Sequence, residues 1–293
     1  MRAYMSTIHD WSITGAEGES ILGNTHVPDH AALGSLLIAH GFKGYKDYGF
    51  FPYLAAEASR RRLTAHRFNF SHSGMTNRID TFERADLFES DTWGKQIHDM
   101  LAVATAVRHG RLPGNDARQA MIWFGHSRGG VTALLAASRT ARRGDLDAPS
   151  GVVVAASPDT PMRLDAAQAS ALRQQGWLES PSSRTGQLLR IGRDSLLEVE
   201  ADPEAFDPLL AVQQVACPML MLHGDEDQTV PPNASKRLAQ EAEDRGQLRI
   251  IHGASHTFNA PNPMLADTEP PEETKQMVDA VCKFAMGICA NGR

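Results

Sequence analysis

The sequence predicts an α/β fold, with a mostly parallel sheet of about eight strands flanked by helices on both faces. Three observations carry this. Short apolar runs alternate with helix-length amphipathic segments along the chain. Runs such as 35–39 and 152–156 are apolar or small without alternation, the pattern of strands covered on both faces. They stop abruptly at small or polar residues, as at His40-Gly41, where functional loops begin.

Strands are expected at 9–14 and 20–26, separated by Gly15-Ala16-Glu17-Gly18, then at 35–39 and 63–70. Between the last two, 52–62 reads as a helix, with Pro52 in its first turn. Residues 71–92 are polar and read as a long loop. Trp93, Ile97, Met100, Leu101, Ala104 and Val107 then recur at helical spacing, with Lys95, Gln96 and Asp99 on the other face. A turn at 113–116 leads to a strand at 120–124, an Ala-rich helix at 131–141 and a strand at 152–156. Strand signals return at 219–222 and 248–251, with a helix at 233–245 between them. A last helix over 271–288 gathers Met277, Val278, Val281, Cys282, Ala285 and Ile288 on one face. Residues 159–214 interrupt the rhythm with helix-like pieces and no evident strand. They read as a small helical lid inserted into one domain spanning 1–293.

Composition narrows the function classes. The 293 residues are 42% hydrophobic and 22% charged, outside the disordered range. A net charge of −6, with no basic stripe, argues against a nucleic-acid partner. Arg60-Arg61-Arg62 and Arg142-Arg143 read as helix C-terminal ends, where cations are favoured. No window approaches 18 apolar residues and residues 1–7 lack a secretory apolar core, so a cytoplasmic protein without a membrane partner is expected. Cys282 and Cys289 lie about 10 Å apart along one helix, too far to bridge, and with Cys217 they read as reduced thiols. The twelve histidines form no zinc spacing and no phosphate loop occurs, so neither metal nor cofactor is expected.

Chemistry concentrates at Gly125-His126-Ser127-Arg128-Gly129, a G-x-S-x-G match with an apolar strand before it and a helix after it. A serine on a tight strand-to-helix turn needs small neighbours, which Gly125, Gly129 and Gly130 supply. Its hydroxyl also needs a base, normally a histidine held by a carboxylate. His223 and His252 close apolar strands and read as loop-shaping. His256, in the small-residue loop Gly253-Ala254-Ser255-His256-Thr257, is the candidate base. Asp227 in Asp225-Glu226-Asp227-Gln228-Thr229-Val230-Pro231 is the candidate acid, with Asp225 and Glu226 shaping the turn and Asp159 a weaker alternative.

These residues resemble the α/β-hydrolase superfamily over nearly the whole chain. His40-Gly41-Phe42-Lys43-Gly44 together with Gly125–Gly130 is most similar to its dienelactone hydrolase, cinnamoyl esterase and S9-peptidase-like branch. The resemblance implies an α/β-hydrolase fold and an oxyanion hole built from the backbone N–H groups of Phe42 and Arg128. Serine stands at 127 where dienelactone hydrolases proper carry cysteine, and no HGGG loop is present. The expected activity is therefore hydrolysis of small or medium carboxylic esters, with a small-molecule ester as partner. An acyl-peptide peptidase or amidase, and a non-catalytic ligand-binding protein on this fold, are the alternatives. Tyr45, His72 and Trp177 are candidate substrate-binding residues. Met162, Leu178, Leu188 and Leu189 read as the lid's own small core or, alternatively, as an acyl pocket.

Overall fold

The computed structural model describes residues 7–114, 119–143, 147–162, 164–264 and 268–291. Residues 1–6, read above for a leader, and the second half of the turn at 113–116 lie outside them. In chain order the elements are β1 (Thr7–Thr14), β2 (Ser20–Val27), β3 (Gly34–Ala39), α1 (Phe51–Arg60), β4 (Leu63–Asn69), α2 (Ala85–Glu89) and α3 (Trp93–Arg108). Next come β5 (Ala120–His126), α4 (Arg128–Arg143), β6 (Gly151–Ala155), α5 (Ala166–Gln175), β7 (Trp177–Pro181) and β8 (Leu188–Gly192). The chain continues through α6 (Asp194–Ala201), α7 (Pro208–Gln214), β9 (Met219–Gly224), α8 (Asn233–Ala242), β10 (Gly246–Ile251) and α9 (Glu272–Asn291).

Eight strands form one sheet in the order β1-β2-β4-β3-β5-β6-β9-β10. The six from β4 to β10 run parallel, while β2 pairs antiparallel with both β1 and β4. Period-two alternation divides the apolar residues between two cores. From β3, Leu37 and Ala39 join the core under α3, α4 and α7, whereas Leu36 and Ile38 face α1 and α9. Both faces are covered, which is why these strands lack polar alternation. The chain steps from β3 outward to β4, then returns to β5 on the other side of β3. This reversal is a switch point, and the loops after β3 and β5 diverge there to leave a crevice. Among the described residues no helix is long and apolar enough to cross a membrane.

Three segments differ from the expected elements. The loop 71–92 contains α2, whose Phe88 ring packs on Phe82 at 5.4 Å between centroids. Helix α4 begins at Arg128 instead of 131, because the chain enters the helix directly after Ser127. The insertion 159–214 is not purely helical: β7 and β8 form an antiparallel hairpin with Leu178 opposite Ile191 and Ser180 opposite Leu189. Glu179, Pro181 and Arg190 interrupt its apolar pattern, so five-residue strands here carry little local signal. The three cysteines are free thiols, with Cys282 and Cys289 buried.

The β5–α4 turn leaves no room for side chains at its glycines. A Cβ on Gly125 would sit 2.2 Å from the Gly129 carbonyl oxygen, and one on Gly129 only 2.4 Å from that of His40. Backbone atoms cannot yield as a flexible side chain can. Gly125→Ala should therefore cost about 3 kcal/mol and lower Tm by roughly 6 °C or more, measured by thermal unfolding.

Candidate active site

Ser127 stands between β5 and α4 with φ of 53°, a left-handed conformation that is rare for a residue with a Cβ. Its N–H donates to Ala155 O at 2.8 Å, tying the turn to β6, and its carbonyl accepts from Gly130 N–H at 2.9 Å. The backbone strain is held by neighbours on both sides, as functional turns commonly are. The absence of a side chain on Gly41 lets the β3 loop approach. A Cβ there would lie 3.0 Å from Ser127 Cβ and 3.6 Å from Arg128 N. The loop carrying Phe42 thus lies directly against the Ser127–Arg128 segment.

That loop is fixed by His40. Its Nδ1–H donates to Gly41 O at 2.8 Å, and its Nε2 accepts from Phe70 N–H at 3.3 Å. A ring with one donating and one accepting nitrogen is the neutral imidazole. Burial pushes its pKa down to about 4. Arg128, the first residue of α4, spreads its guanidinium over the Trp93 ring at 4.3 Å and faces Phe42 at 5.9 Å. Asp91 Oδ2 lies 3.3 Å from that guanidinium. Burial raises the Asp91 pKa to about 6, with Arg128 opposing the shift.

Asp227 and His256 come from the loops after β9 and β10. His256 Nδ1–H donates to Asp227 Oδ2 at 2.8 Å. The Asp227 side chain is 0% exposed and His256 is 19% exposed. Asp227 Oδ1 accepts from Thr229 and Val230 N–H at 2.8 and 2.9 Å. His223 Nε2 lies 3.1 Å from Asp227 Oδ2 and 2.9 Å from Val230 O. A carbonyl can only accept, so His223 Nε2 carries its proton and serves both oxygens. Burial alone would raise the Asp227 pKa, but His223, His256 and the Val230 N–H outweigh it and hold the carboxyl well below the usual range. The backbone of the His256 loop is fixed too. His126 Nε2–H donates to His256 O at 2.8 Å, and Asn259 bridges Ser255 N–H and Gly253 O. Burial, then the nearby His256, pushes the His126 pKa down to about 3.

Ser127 and His256 line one cavity of about 170 Å³. Its walls come from the β3 loop (Gly41 to Gly44), from Tyr48 and Phe51, and from the β7–β8 turn (Pro181 to Arg184). The three candidate substrate-binding residues lie outside that lining. Tyr45 is buried beneath it, its hydroxyl donating to Asn262 Oδ1 at 3.1 Å. His72 is buried against Ser71 and Glu17, in a network in which Asp99 accepts from Ser71 and from Ala16 N–H. Trp177 stacks under Arg190 at 4.0 Å. Leu189 packs with Tyr45, Met75, Phe82 and Phe88, so it joins the insertion to the loop 71–92, whereas Leu188 is exposed. Asp159 is ion-paired with Arg237 at 2.8 Å, and Asp225 shapes the surface loop through His252 and Gly253 N–H. Sequence reading missed the second imidazole on Asp227, the tie from His126 to His256, and the part played by the β7–β8 turn. Only His223, two residues before Asp225, had a local signal: its place at a strand end.

The sequence profile of the alpha/beta hydrolase family matches residues 36–274, which includes every element that meets at the cavity. The chain belongs to that family. No curated protein matches it by sequence. Solved structures share the fold of this hydrolase at low identity. Est1E from Butyrivibrio proteoclasticus, with ferulic acid bound, superposes with a TM-score of 0.70 at 17% identity, covering 96% of this chain and 99% of that one. Dienelactone hydrolase from Anabaena variabilis gives 0.63 at 17% identity, covering 97% and 99%. The esterase domain of a Rhodothermus marinus protein gives 0.62 at 18%, covering 95% and 98%.

The two buried imidazoles have a measurable consequence. The folded pKa values of His40 and His126 lie below that of an unfolded histidine, near 6.5. Below that pH the unfolded chain binds protons that the folded chain refuses, so stability falls with pH from about 6.5 downward. Histidine NMR titration should show both rings neutral from pH 8 to 5; a midpoint near 6.5 for either would contradict the packing.

Proposed function

We propose that this hydrolase cleaves carboxylic esters of small or medium acyl groups through an acyl-enzyme on Ser127, with His256 as base and Asp227 as its orienting acid. The observation that carries the reading is that a serine on a strained turn and a carboxylate-held histidine line the same small cavity. In the reaction, His256 Nε2 takes the Ser127 hydroxyl proton as Oγ adds to the ester carbonyl carbon. The carbonyl oxygen becomes an oxyanion, and the N–H groups of Phe42 and Arg128 are its donors. Arg128 N–H projects from the first turn of α4, where the helix dipole favours negative charge. Collapse breaks the bond to the alcohol oxygen, which leaves with the proton from His256. Water then loses a proton to His256 and adds to the acyl carbon. Release of the acid returns the proton to Ser127.

Asp227 stays ionised throughout the neutral range and holds Nδ1–H, so Nε2 is free to accept. The cavity size favours esters of modest acyl length over an acyl-peptide. Ser127→Ala should abolish turnover of p-nitrophenyl butyrate and labelling by a fluorophosphonate; undiminished turnover would overturn the assignment. Asp227→Asn should lower kcat by roughly 10³-fold or more with a smaller change in KM, because the wrong tautomer of His256 is then favoured. Rates on an acyl-aminoacyl anilide beside the ester separate esterase from amidase.

A further inference from the structure

The cavity beside Ser127 has an unbalanced charge. Histidines and the phenol of Tyr48 aside, its ionisable lining residues are Lys43 and Arg184, and among the described residues no carboxylate lines it. Two other poorly exposed cations have acidic partners: Arg67 is paired with Asp47 and Arg128 with Asp91. Lys43 and Arg184 form no ion pair with a carboxylate among the described residues. Asp80, which acts on Arg184 at longer range, is exposed and already paired with Arg78. Burial lowers the pKa of both cations, so each has lost part of its hydration without gaining a counter-charge.

Both groups are also fixed in place. Lys43 has φ of 57° and donates from Nζ to Pro181 O at 2.7 Å, which leaves two further N–H donors. Arg184 is held between the rings of Tyr45 and Phe82, at 4.7 and 5.0 Å, and donates to Ile79 O. The hydroxyl-bearing Ser182 and Ser183 lie between Pro181 and Arg184 in the same wall. A held, partly desolvated pair of cations without a protein anion is a site for a ligand anion. A cavity of about 170 Å³ corresponds to roughly six water-sized groups at ~30 Å³ each.

We propose that the cavity selects esters that carry a free carboxylate a few bonds from the scissile carbonyl, with Lys43 contacting that carboxylate and Arg184 supplying positive field. The proposal rests on Ser127 as the reacting centre, but its test is a binding difference that needs no turnover. The probes are monomethyl glutarate and its neutral counterpart methyl pentanoate, titrated calorimetrically into the Ser127→Ala protein. Monomethyl glutarate should bind on the order of ten-fold more tightly, since hydrogen bonds to charged groups are worth at least that factor. Raising the salt from low to high ionic strength should weaken the anionic ester alone. Lys43→Met should remove most of the anionic preference, and Lys43→Arg should restore it. Equal affinity for the two esters, or a preference that neither salt nor Lys43→Met reduces, overturns the proposal. If Lys43→Met fails to fold, the salt dependence of the protein with Lys43 intact decides alone. Turnover of neutral p-nitrophenyl pentanoate as fast as of the p-nitrophenyl hemiester of glutarate would sink this inference and leave the esterase reading standing. Loss of all ester turnover would sink the esterase reading, while the binding difference still reports on the site.

Discussion

The constraint on which the rest depends is the backbone of Ser127. A side-chain-bearing residue at φ of 53° persists only where its surroundings fix it, and here they do so from three directions. Ala155 O takes its N–H, the first turn of α4 takes its carbonyl, and Gly41 brings the β3 loop against its Cβ. The glycines around it follow from this geometry. A Cβ on Gly125 or Gly129 would lie 2.2 or 2.4 Å from a backbone oxygen, so β5 and α4 meet this closely only because both residues are glycine. The strand order reverses between β3 and β5, and the loop after β3 lines one cavity together with Ser127.

The carboxylate at Asp227 is the second fixed point, and its physics differs. Nothing there is strained. A fully buried acid is expensive unless each oxygen is satisfied, and four donors meet it: two backbone N–H groups and two imidazoles. Removing any one donor leaves a charge with fewer partners in a dry place, which ties the β9 and β10 loops to each other. His126 completes the link by joining the residue before Ser127 to the backbone of His256. Ser127, His256 and Asp227 are thus positioned by three strands that share one sheet, through hydrogen bonds that are mostly backbone at one end.

Much of this was legible in the sequence because it is local. Apolar runs of buried strands, the glycines around Ser127 and the loop from His223 to Pro231 each declare themselves within about ten residues. The cavity walls were not legible because they are made by distant partners. Lys43 meets Pro181 across 138 positions, and Phe82 exchanges two hydrogen bonds with Gln187 across 105. Neither contact leaves a period in the sequence. Tyr45 and His72 looked like site residues from their place after strand ends, yet burial turned them inward to support the loops. The hairpin escaped notice for a related reason: each of its strands fully buries only one side chain, Ser180 and Leu189.

This division has a mechanical meaning. Ser127 and Asp227 follow β5 and β9, parallel strands whose residues are nearly all buried, and His256 follows the edge strand β10, so opening at Ser127 or Asp227 requires breaking the main cores. Behind the hairpin that contributes one wall lies a separate small cluster of Tyr45, Met75, Phe82, Phe88 and Leu189, bordered by Gln187 and Arg184. A cluster that small can be repacked without moving Ser127, whose restraints all lie on the sheet side. The same separation allows Lys43 to matter for binding. It sits in a loop that lines the cavity with Ser127, and its own side chain reaches the hairpin at Pro181 O. A change in the hairpin therefore acts on the cavity directly and through that loop, whose path His40 fixes by holding Gly41 O.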